Sequence, residues 1–267
     1  MKKFNNTMEV FMLLDKTNCR KCNKPTCLAF AAAVFQGQMS LSECPFVDKE
    51  IVKAYGDKNA KSETGAEQDY QKALSQLQEK ITQTDLKERA EILGEKFSNN
   101  RLTLKIMGKD FSIDTNGRVF TLLHVNHWLT IPVFNYVLYG KGLPLTHTWV
   151  PFRELETSKD WARFFEHQCV HLLKKIADSN PSFFEDIIAL FNAKPVENHY
   201  DADISLVIKP LPLLPILICY NNPEDGLESD LNLFFDSTAD KNLPIDKIYT
   251  LITGLARMLE KLAKTHG

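Results

Sequence analysis

Residues 13–46 read LLDKTNCRKCNKPTCLAFAAAVFQGQMSLSECPF and contain four of the six cysteines of this 267-residue chain. These four, Cys19, Cys22, Cys27 and Cys44, have the spacing C-x2-C-x4-C-x16-C. Thr26 can cap a helix through LAFAAAVFQ, and Gly37 is a stop signal for that helix. The segment therefore predicts a tight loop, a short helix and a returning turn that bring four thiols together.

Four soft thiolate ligands, without histidine or carboxylate among them, suit an iron–sulfur cluster or zinc. A cubane cluster needs four converging thiolates, which a tight loop can begin and a returning segment can complete. Zinc ribbons usually present two C-x2-C knuckles, whereas this chain has one. The spacing therefore favours an iron–sulfur cluster, and a structural zinc protein is the alternative.

The surroundings of the four cysteines are basic. Lys16, Arg20, Lys21 and Lys24 lie in or beside the loop. The helix that begins at Thr26 also directs its free N–H groups toward the loop. Since cations lower the pKa of a thiol, these groups are expected to favour thiolates and to stabilise a reduced, negatively charged cluster. A solvated basic face is the simpler interpretation of any one of these residues.

Three elements of this segment resemble a known family. They are Thr17-Asn18-Cys19, the stretch Pro25 to Ala31, and Cys44-Pro45. Over about residues 8–50 the chain resembles the iron–sulfur module of the large subunit of the corrinoid iron–sulfur protein of acetyl-CoA metabolism. The resemblance implies a single [4Fe-4S] cluster on the four cysteines, which in that family reactivates oxidised corrinoid by one-electron reduction. The family often has glycine after the first two cysteines, where this chain has Arg20 and Asn23. Asparagine tolerates the left-handed backbone that glycine would supply. Arg20 is expected mainly to add surface charge.

Composition and charge narrow the possible functions. Lys plus Arg number 32 and Asp plus Glu number 34, so no net basic surface suggests a nucleic-acid partner. The N-terminus is interpreted as a short amphipathic helix, not a signal peptide. The apolar run Leu211 to Tyr220 is about half the length that spans a bilayer. We therefore expect a cytoplasmic protein without a membrane partner, and cysteines that are not a disulfide framework.

The predicted fold class is α+β, with a small, mostly helical module followed by a larger mixed domain. Residues 1–54 form the predicted cluster module and residues 55–68 a polar linker, because Gly56 to Gln68 contains no large apolar residue. Residues 69–267 form the predicted α+β domain.

Apolar periodicity predicts the elements of the larger domain. Alternation predicts a hairpin around Gly108-Lys109, a turn at Thr115 to Gly117, and three later strands. Those strands are Ile204 to Ile208, Ile216 to Tyr220 and Leu231 to Phe235. Helical spacing predicts two helices from Tyr70 to Phe97 broken near Thr82 to Asp85, a helix from Val119 to Tyr139 bent near Pro132, and helices at Trp161 to Ala177, Phe183 to Phe191 and about Ile245 to Ala263.

This domain resembles an uncharacterised domain family that is often fused to such cluster modules in anaerobic microbes. The resemblance rests on short motifs at His127-Trp128-Leu129, Pro144-Leu145-Thr146, Trp149 to Leu155, Asp201-Ala202-Asp203, Pro212 to Pro215 and Leu233 to Asp236. It implies a domain boundary and no particular reaction.

Other residues of the larger domain were considered as a site. The pairs His124/His127 and His167/His171 have no third ligand nearby and are interpreted as surface or core histidines. Four aspartates could line a polar pocket, but such residues more often cap turns and strand ends; they are Asp201, Asp203, Asp225 and Asp236. Cys169 and Cys219 are predicted to be buried thiols. Because the sequence contains no phosphate-binding glycine loop, nucleophile elbow or flavin fingerprint, whether the protein is an enzyme stays open.

The sequence thus supports three functional hypotheses. The first is one-electron transfer by a [4Fe-4S] cluster to a redox or corrinoid protein, with a link to one-carbon metabolism. The second is a redox-sensing or ligand-binding protein whose cluster regulates the larger domain. The third is a structural zinc protein.

Overall fold

A computed structural model of the protein describes residues 4, 6–35, 39–55, 65–197, 199–224 and 226–266. The chain divides into two compact units, residues 1–71 and 72–267. Most of the predicted linker (residues 56–64), the predicted stop signal Gly37 and the candidate Asp225 lie outside the described residues. The last residues of the predicted linker begin a helix, since α4 spans Gly65–Thr82.

The first unit is mostly helical, as predicted. Its elements are α1 (Thr7–Met12), α2 (Cys27–Phe35), a 3-10 turn (Leu41–Glu43) and α3 (Lys49–Tyr55). The Asn6 side chain caps α1 by accepting a hydrogen bond from the Glu9 N–H at 3.0 Å. The small core of this unit includes Val10, Leu14, Phe30, Leu41 and Val47, together with Cys27 and Cys44. Two of the predicted ligands are therefore part of the packing of the module.

The second unit begins with helices and an antiparallel meander. After α4 come α5 (Leu86–Leu93), β1 (Lys96–Ser98), β2 (Arg101–Ile106), β3 (Lys109–Asp114) and β4 (Val119–Thr121). The strands form a sheet in the order β1-β2-β3-β4. Leu102 lies opposite Ile113 and Leu104 opposite Phe111, and all four are fully buried. The predicted hairpin is confirmed, because alternation placed its apolar side chains on one face.

A second sheet follows further along the chain. Its strands are β5 (Trp149–Pro151), β6 (Lys194–Pro195), β7 (Ile204–Leu211), β8 (Leu214–Asn221) and β9 (Asp230–Asp236), in the order β5-β9-β8-β7-β6. Every pairing in it is antiparallel. Its central strand β8 is buried along nearly its whole length. The three strands predicted in this region are confirmed.

Helices complete the second unit. They are α6 (His127–Tyr139), α7 (Lys159–Phe165), α8 (His171–Ser179), α9 (Phe183–Phe191), α10 (Ala239–Asn242) and α11 (Ile245–His266). The long helix α11 contacts α6, α7 and α8. Residues of both sheets and of these helices share one apolar core. The fold class is therefore α+β, as predicted, and none of the helices in the described ranges is both long and apolar enough to cross a bilayer.

Two sequence predictions about helices need correction. Residues Val119–Thr121 are a strand, not the start of a helix, because they pair with β3 after the turn at Gly117. Helix α6 begins only at His127, where the Asn126 side chain accepts from the Leu129 N–H at 3.3 Å; Pro132 lies inside this helix. Between α7 and α8 the predicted regular helix contains a wider π-helical turn, Glu166–Val170.

Candidate metal centre

The loop between α1 and α2 holds the first two cysteines in an unusual backbone. Lys16, Asn18, Arg20 and Asn23 have φ angles of 59°, 50°, 60° and 56°, all left-handed. Asparagine visits this region readily, but lysine and arginine do so at a cost. The prediction for Asn23 is confirmed, whereas Arg20, expected mainly to add surface charge, also occupies a position suited to glycine.

Asn18 ties the loop to the start of α2 through two reciprocal hydrogen bonds. Its side-chain oxygen accepts from the Cys27 N–H at 2.7 Å, and its own N–H donates to the Cys27 sulfur at 3.3 Å. Thr26 caps the same helix, as predicted, by accepting from the Ala29 N–H at 3.1 Å. Asn18 was not singled out in the sequence as a positioning residue. An asparagine directly before a cysteine is a usable signal, because asparagine both caps helices and tolerates a left-handed backbone.

A compact turn returns Cys44 to the module. The Ser40 N–H donates to the Glu43 carboxylate at 2.7 Å, and the Ser40 hydroxyl accepts from the Ser42 N–H at 3.2 Å. These bonds form a capping box on the 3-10 turn that ends at Cys44. Cys44 is 8% exposed, and Cys19 is exposed. The four thiols thus include buried and solvent-facing members.

The thiols of Cys19 and Cys44 have opposite electrostatic surroundings. The pKa of Cys19 is lowered, mainly by the Lys21 backbone N–H. Burial opposes this effect, and the Thr17 hydroxyl and the Lys21 charge lower the pKa further. The pKa of Cys44 is raised, first by burial, although the Phe46 N–H lowers it. The predicted depression of thiol pKa therefore applies to Cys19 and is wrong for Cys44, which lies in the apolar core of the module.

The Cys44 thiol also shows that the four cysteines share one region. Its pKa is raised further by the neighbouring charges of Cys22, Cys19 and Cys27. Such repulsion falls off with distance and requires the sulfur atoms to be near one another. Backbone N–H groups, moreover, donate to three of the four sulfurs: Asn18 to Cys27, Lys21 to Cys19 and Phe46 to Cys44. The donor set therefore fits an anionic thiolate-bound group.

Two of the surrounding lysines pack on aromatic rings. The Lys21 ammonium lies 4.9 Å from the centroid of the Phe46 ring, and the Lys16 ammonium lies 5.5 Å from that of Phe11. Both lysines are exposed. Each cation is thus held beside the loop without a buried ion pair.

In the described ranges, no three histidine, cysteine or carboxylate side chains are arranged around a single metal ion. The rings of His167 and His171 lie 4.9 Å apart on the turn that joins α7 and α8. The His171 side chain faces Glu166 at 3.6 Å, with both groups half exposed. These histidines are thus surface residues of a helix.

The aspartates considered in the sequence act as caps of turns and strand ends. Asp236 is 1% exposed and accepts from the His147 N–H at 2.7 Å and from the Thr238 hydroxyl at 2.7 Å. Burial raises its pKa, but these bonds and those of Thr146 outweigh burial and lower it overall. Asp203 accepts from the Asn222 N–H at 2.8 Å. The remaining described member, Asp201, is exposed in a left-handed turn.

The two remaining cysteines are buried, as predicted. Cys169 is fully buried beside the Thr253 hydroxyl at 3.2 Å, and burial raises its pKa to about 12. Cys219 is 5% exposed on β8, and burial also raises its pKa. Both thiols belong to the core of the second unit.

Comparison with known proteins gives matches to the cysteine segment. It is 48% identical over 40 residues to the corrinoid/iron-sulfur protein large subunit of Moorella thermoacetica, covering 15% of this chain and 9% of that protein. It is 47% identical over 38 residues to the acetyl-CoA decarbonylase/synthase complex subunit gamma of Methanothermobacter thermautotrophicus, covering 14% of this chain and 8% of that protein. The chain thus spans only a small part of the curated relatives it matches. No solved structure matches the chain.

Family models divide the chain in the same way. Residues 14–46 match the model described as "Putative Fe-S cluster", which supports an iron–sulfur cofactor for this segment. Residues 85–258, more than half of the chain, match the model described as a domain of unknown function, DUF3786. Both resemblances expected from the sequence are confirmed, and the chain belongs to the DUF3786 family.

Proposed function

We propose that Cys19, Cys22, Cys27 and Cys44 hold one [4Fe-4S] cluster and that the protein transfers single electrons through it. The observation that carries the proposal is that the four thiols lie near enough to influence one another's charge and that three of their sulfurs accept backbone N–H groups. Four thiolates are the usual ligand set of such a cluster. The match of residues 14–46 to an iron–sulfur family supports the same assignment.

The spacing of the cysteines in the sequence favours a cluster over a single zinc ion. With Zn–S bonds of about 2.3 Å, zinc draws four sulfurs around one point. A cubane instead gives each thiolate its own iron, so the sulfurs stand further apart. Zinc ribbons usually present two C-x2-C knuckles, whereas this chain has one such pair.

When bound, a [4Fe-4S] cluster supplies a reversible one-electron couple. The chain contributes the environment of that couple. The N–H groups of Asn18, Lys21 and Phe46 point at sulfur and offset negative charge, which favours the reduced form. Cys27 and Cys44 anchor one side in the apolar core, and the exposed Cys19 leaves a side open to a partner.

We further propose that the acceptor is a corrinoid protein or another low-potential redox protein of one-carbon metabolism in the cytoplasm. The names of the matched relatives, a corrinoid/iron-sulfur protein and subunits of acetyl-CoA decarbonylase/synthase complexes, support this choice. Arg20 and Lys21 are exposed and Lys24 is half buried, so together they offer a basic docking face beside the cysteines. An acidic partner would be steered toward such a face.

Metal and sulfide analysis of anaerobically purified protein tests the cofactor. We expect about four irons and four sulfides per chain. Replacing any one of the four ligands by alanine should abolish or degrade the cluster, whereas the matched controls Cys169→Ala and Cys219→Ala should retain it. Stoichiometric zinc without sulfide would refute the assignment.

Stopped-flow oxidation of the reduced protein by an oxidised corrinoid protein from the same organism tests the partner. The rate should fall as salt rises and should fall in Lys21→Glu and Lys24→Glu, but not in the control Lys87→Glu on α5. If the reduced protein does not react with the corrinoid protein, a corrinoid protein is not its acceptor. A fast reaction whose rate does not change with salt or charge reversal would support electron transfer and refute the basic docking face.

A further inference from the structure

The second unit contains an open cleft of about 490 Å³ where its two sheets approach each other. The first sheet contributes Lys105 and Gly108, at the end of the β2–β3 hairpin. The second contributes Lys194 of β6 and Lys209 of β7. The Met107 N–H donates to the Lys209 carbonyl at 3.2 Å and joins the hairpin to β7 at this point. The volume lies within the range of small-molecule sites.

The cleft has an excess of positive charge. Lys105 pairs with Asp110 at 2.8 Å, and both side chains are well exposed. Within the described part of the chain, no carboxylate pairs with Lys194 or Lys209. Lys194 lies opposite Val207 in the β6–β7 register, and Lys209 follows two residues later on the same face. Two lysines with no carboxylate partner in the described residues therefore occupy neighbouring positions on one face of the sheet, an arrangement that an anion would stabilise.

The wall of the cleft is apolar and closely packed. Phe191, Val207 and Pro212 line it. Gly108 has a φ of 76°, and a Cβ added there would come within 2.9 Å of the Asn192 Cβ, so the hairpin turn lies directly against the end of α9. The site thus combines a wall that accepts an apolar body with a rim that accepts negative charge.

We propose that this cleft binds a small phosphorylated molecule with a compact apolar portion. Lysine ammonium groups act as point charges on phosphate oxygens. A phosphate monoester carries a charge of about −1.5 to −2 at pH 7, whereas a carboxylate carries a single charge, so the positive charge of two lysines suits phosphate better. Lys194 and Lys209 hold the phosphate, and Phe191 and Val207 contact the apolar portion.

Calorimetric titration of the anaerobically purified full chain with phenyl phosphate at low salt tests this site. We expect saturable binding that is tighter than binding of inorganic phosphate or benzoate. Lys194→Glu and Lys209→Glu should each weaken it at least about tenfold. Both lysines are exposed, so the unfolding temperatures of these variants should match wild type.

Lys87→Glu, which makes the same charge change on α5 outside the cleft, should bind like wild type. Absence of saturable binding would overturn the proposal. An equal loss of affinity in Lys87→Glu would show a general charge effect and would also overturn it. Binding of benzoate as tight as that of phenyl phosphate would overturn it too.

Discussion

Replacing Asn18 by alanine should loosen the cysteine loop through two separate effects. The variant loses the acceptor of the Cys27 N–H, a 2.7 Å bond at the first residue of α2. Loss of such a helix cap costs about 0.5–2 kcal/mol. Alanine must also adopt the left-handed backbone at φ 50°, which adds roughly 1 kcal/mol. The sum, about 1.5–3 kcal/mol, is a large fraction of the stability of a small unit.

The assay is anaerobic loss of the cluster's visible absorbance in urea. If both effects are absent from the transition state for unfolding, Asn18→Ala should lose absorbance about 10- to 150-fold faster than wild type. Asn18→Gly keeps the left-handed freedom and loses only the cap, so its rate should rise about 2- to 30-fold and by less than that of Asn18→Ala. Asn18→Asp keeps both the acceptor and the tolerance of the left-handed backbone and should stay close to wild type.

The pattern among the variants is the decisive result. A wild-type rate in Asn18→Ala would show that neither the side-chain acceptor nor the left-handed backbone at Asn18 holds the loop. Equal rates in Asn18→Ala and Asn18→Gly would refute the contribution of the left-handed backbone. Iron content measured before dilution into urea checks that every variant starts with a full cluster.

Three further predictions concern the larger domain. Asp236→Asn should lower the free energy of unfolding by about 1–3 kcal/mol at neutral pH, because donors that now face a carboxylate would meet an amide. Because the pKa of Asp236 is lowered in the folded state, the ionised carboxylate stabilises the fold above the unfolded pKa of about 4, and this stabilisation is lost as pH falls through the folded pKa. In urea unfolding, the difference in free energy of unfolding between wild type and Asp236→Asn should therefore be smaller at pH 3 than at pH 7. Gly142→Ala should prevent stable folding, since its Cβ would lie 1.8 Å from a backbone oxygen, whereas Gly94→Ala, with a similar φ of 68° and open space, should cost only about 1 kcal/mol in thermal unfolding. A chain beginning at Gly65 should unfold cooperatively without iron if the proposed domain boundary is right, and aggregation of that chain would contradict it.

Local patterns in the sequence predicted much of the fold. The alternation of Leu102, Leu104 and Ile106 was enough to identify β2, because one face of the sheet is buried and period two fixes which side chains face it. Thr26 and the apolar run after it identified α2 in the same local way. Such signals are short-range and need no knowledge of the partner elements.

Other features depend on contacts that are distant in sequence. The strand Val119–Thr121 has only three residues, too few for a period of two to show, and pairing with β3 identifies it as a strand. Likewise, β5 pairs with β9, which is more than 80 residues away, and no local sequence pattern predicts this pairing.

The candidate centre shows the same division. The spacing of the four cysteines identified the ligands proposed here, because thiolates at short intervals are rare outside metal sites. The left-handed backbone at Arg20 and the N–H groups of Lys21 and Phe46 were not predicted. These features depend on the path of the backbone, and a sequence indicates that path only where glycine or asparagine occurs.

The π-helical turn Glu166–Val170 has a consequence for insertions and deletions. Apolar or partly buried residues recur every four positions here, at Trp161, Phe165, Cys169, Leu173 and Ala177. In a regular helix of 3.6 residues per turn, a four-residue interval drifts by about 40° at each step. The wider turn absorbs one extra residue and returns the apolar side chains to the core. Deleting Gln168 would therefore convert the segment to a regular helix and leave Leu173 facing the core, whereas the same deletion within a regular helix would rotate the residues that follow by about 100°.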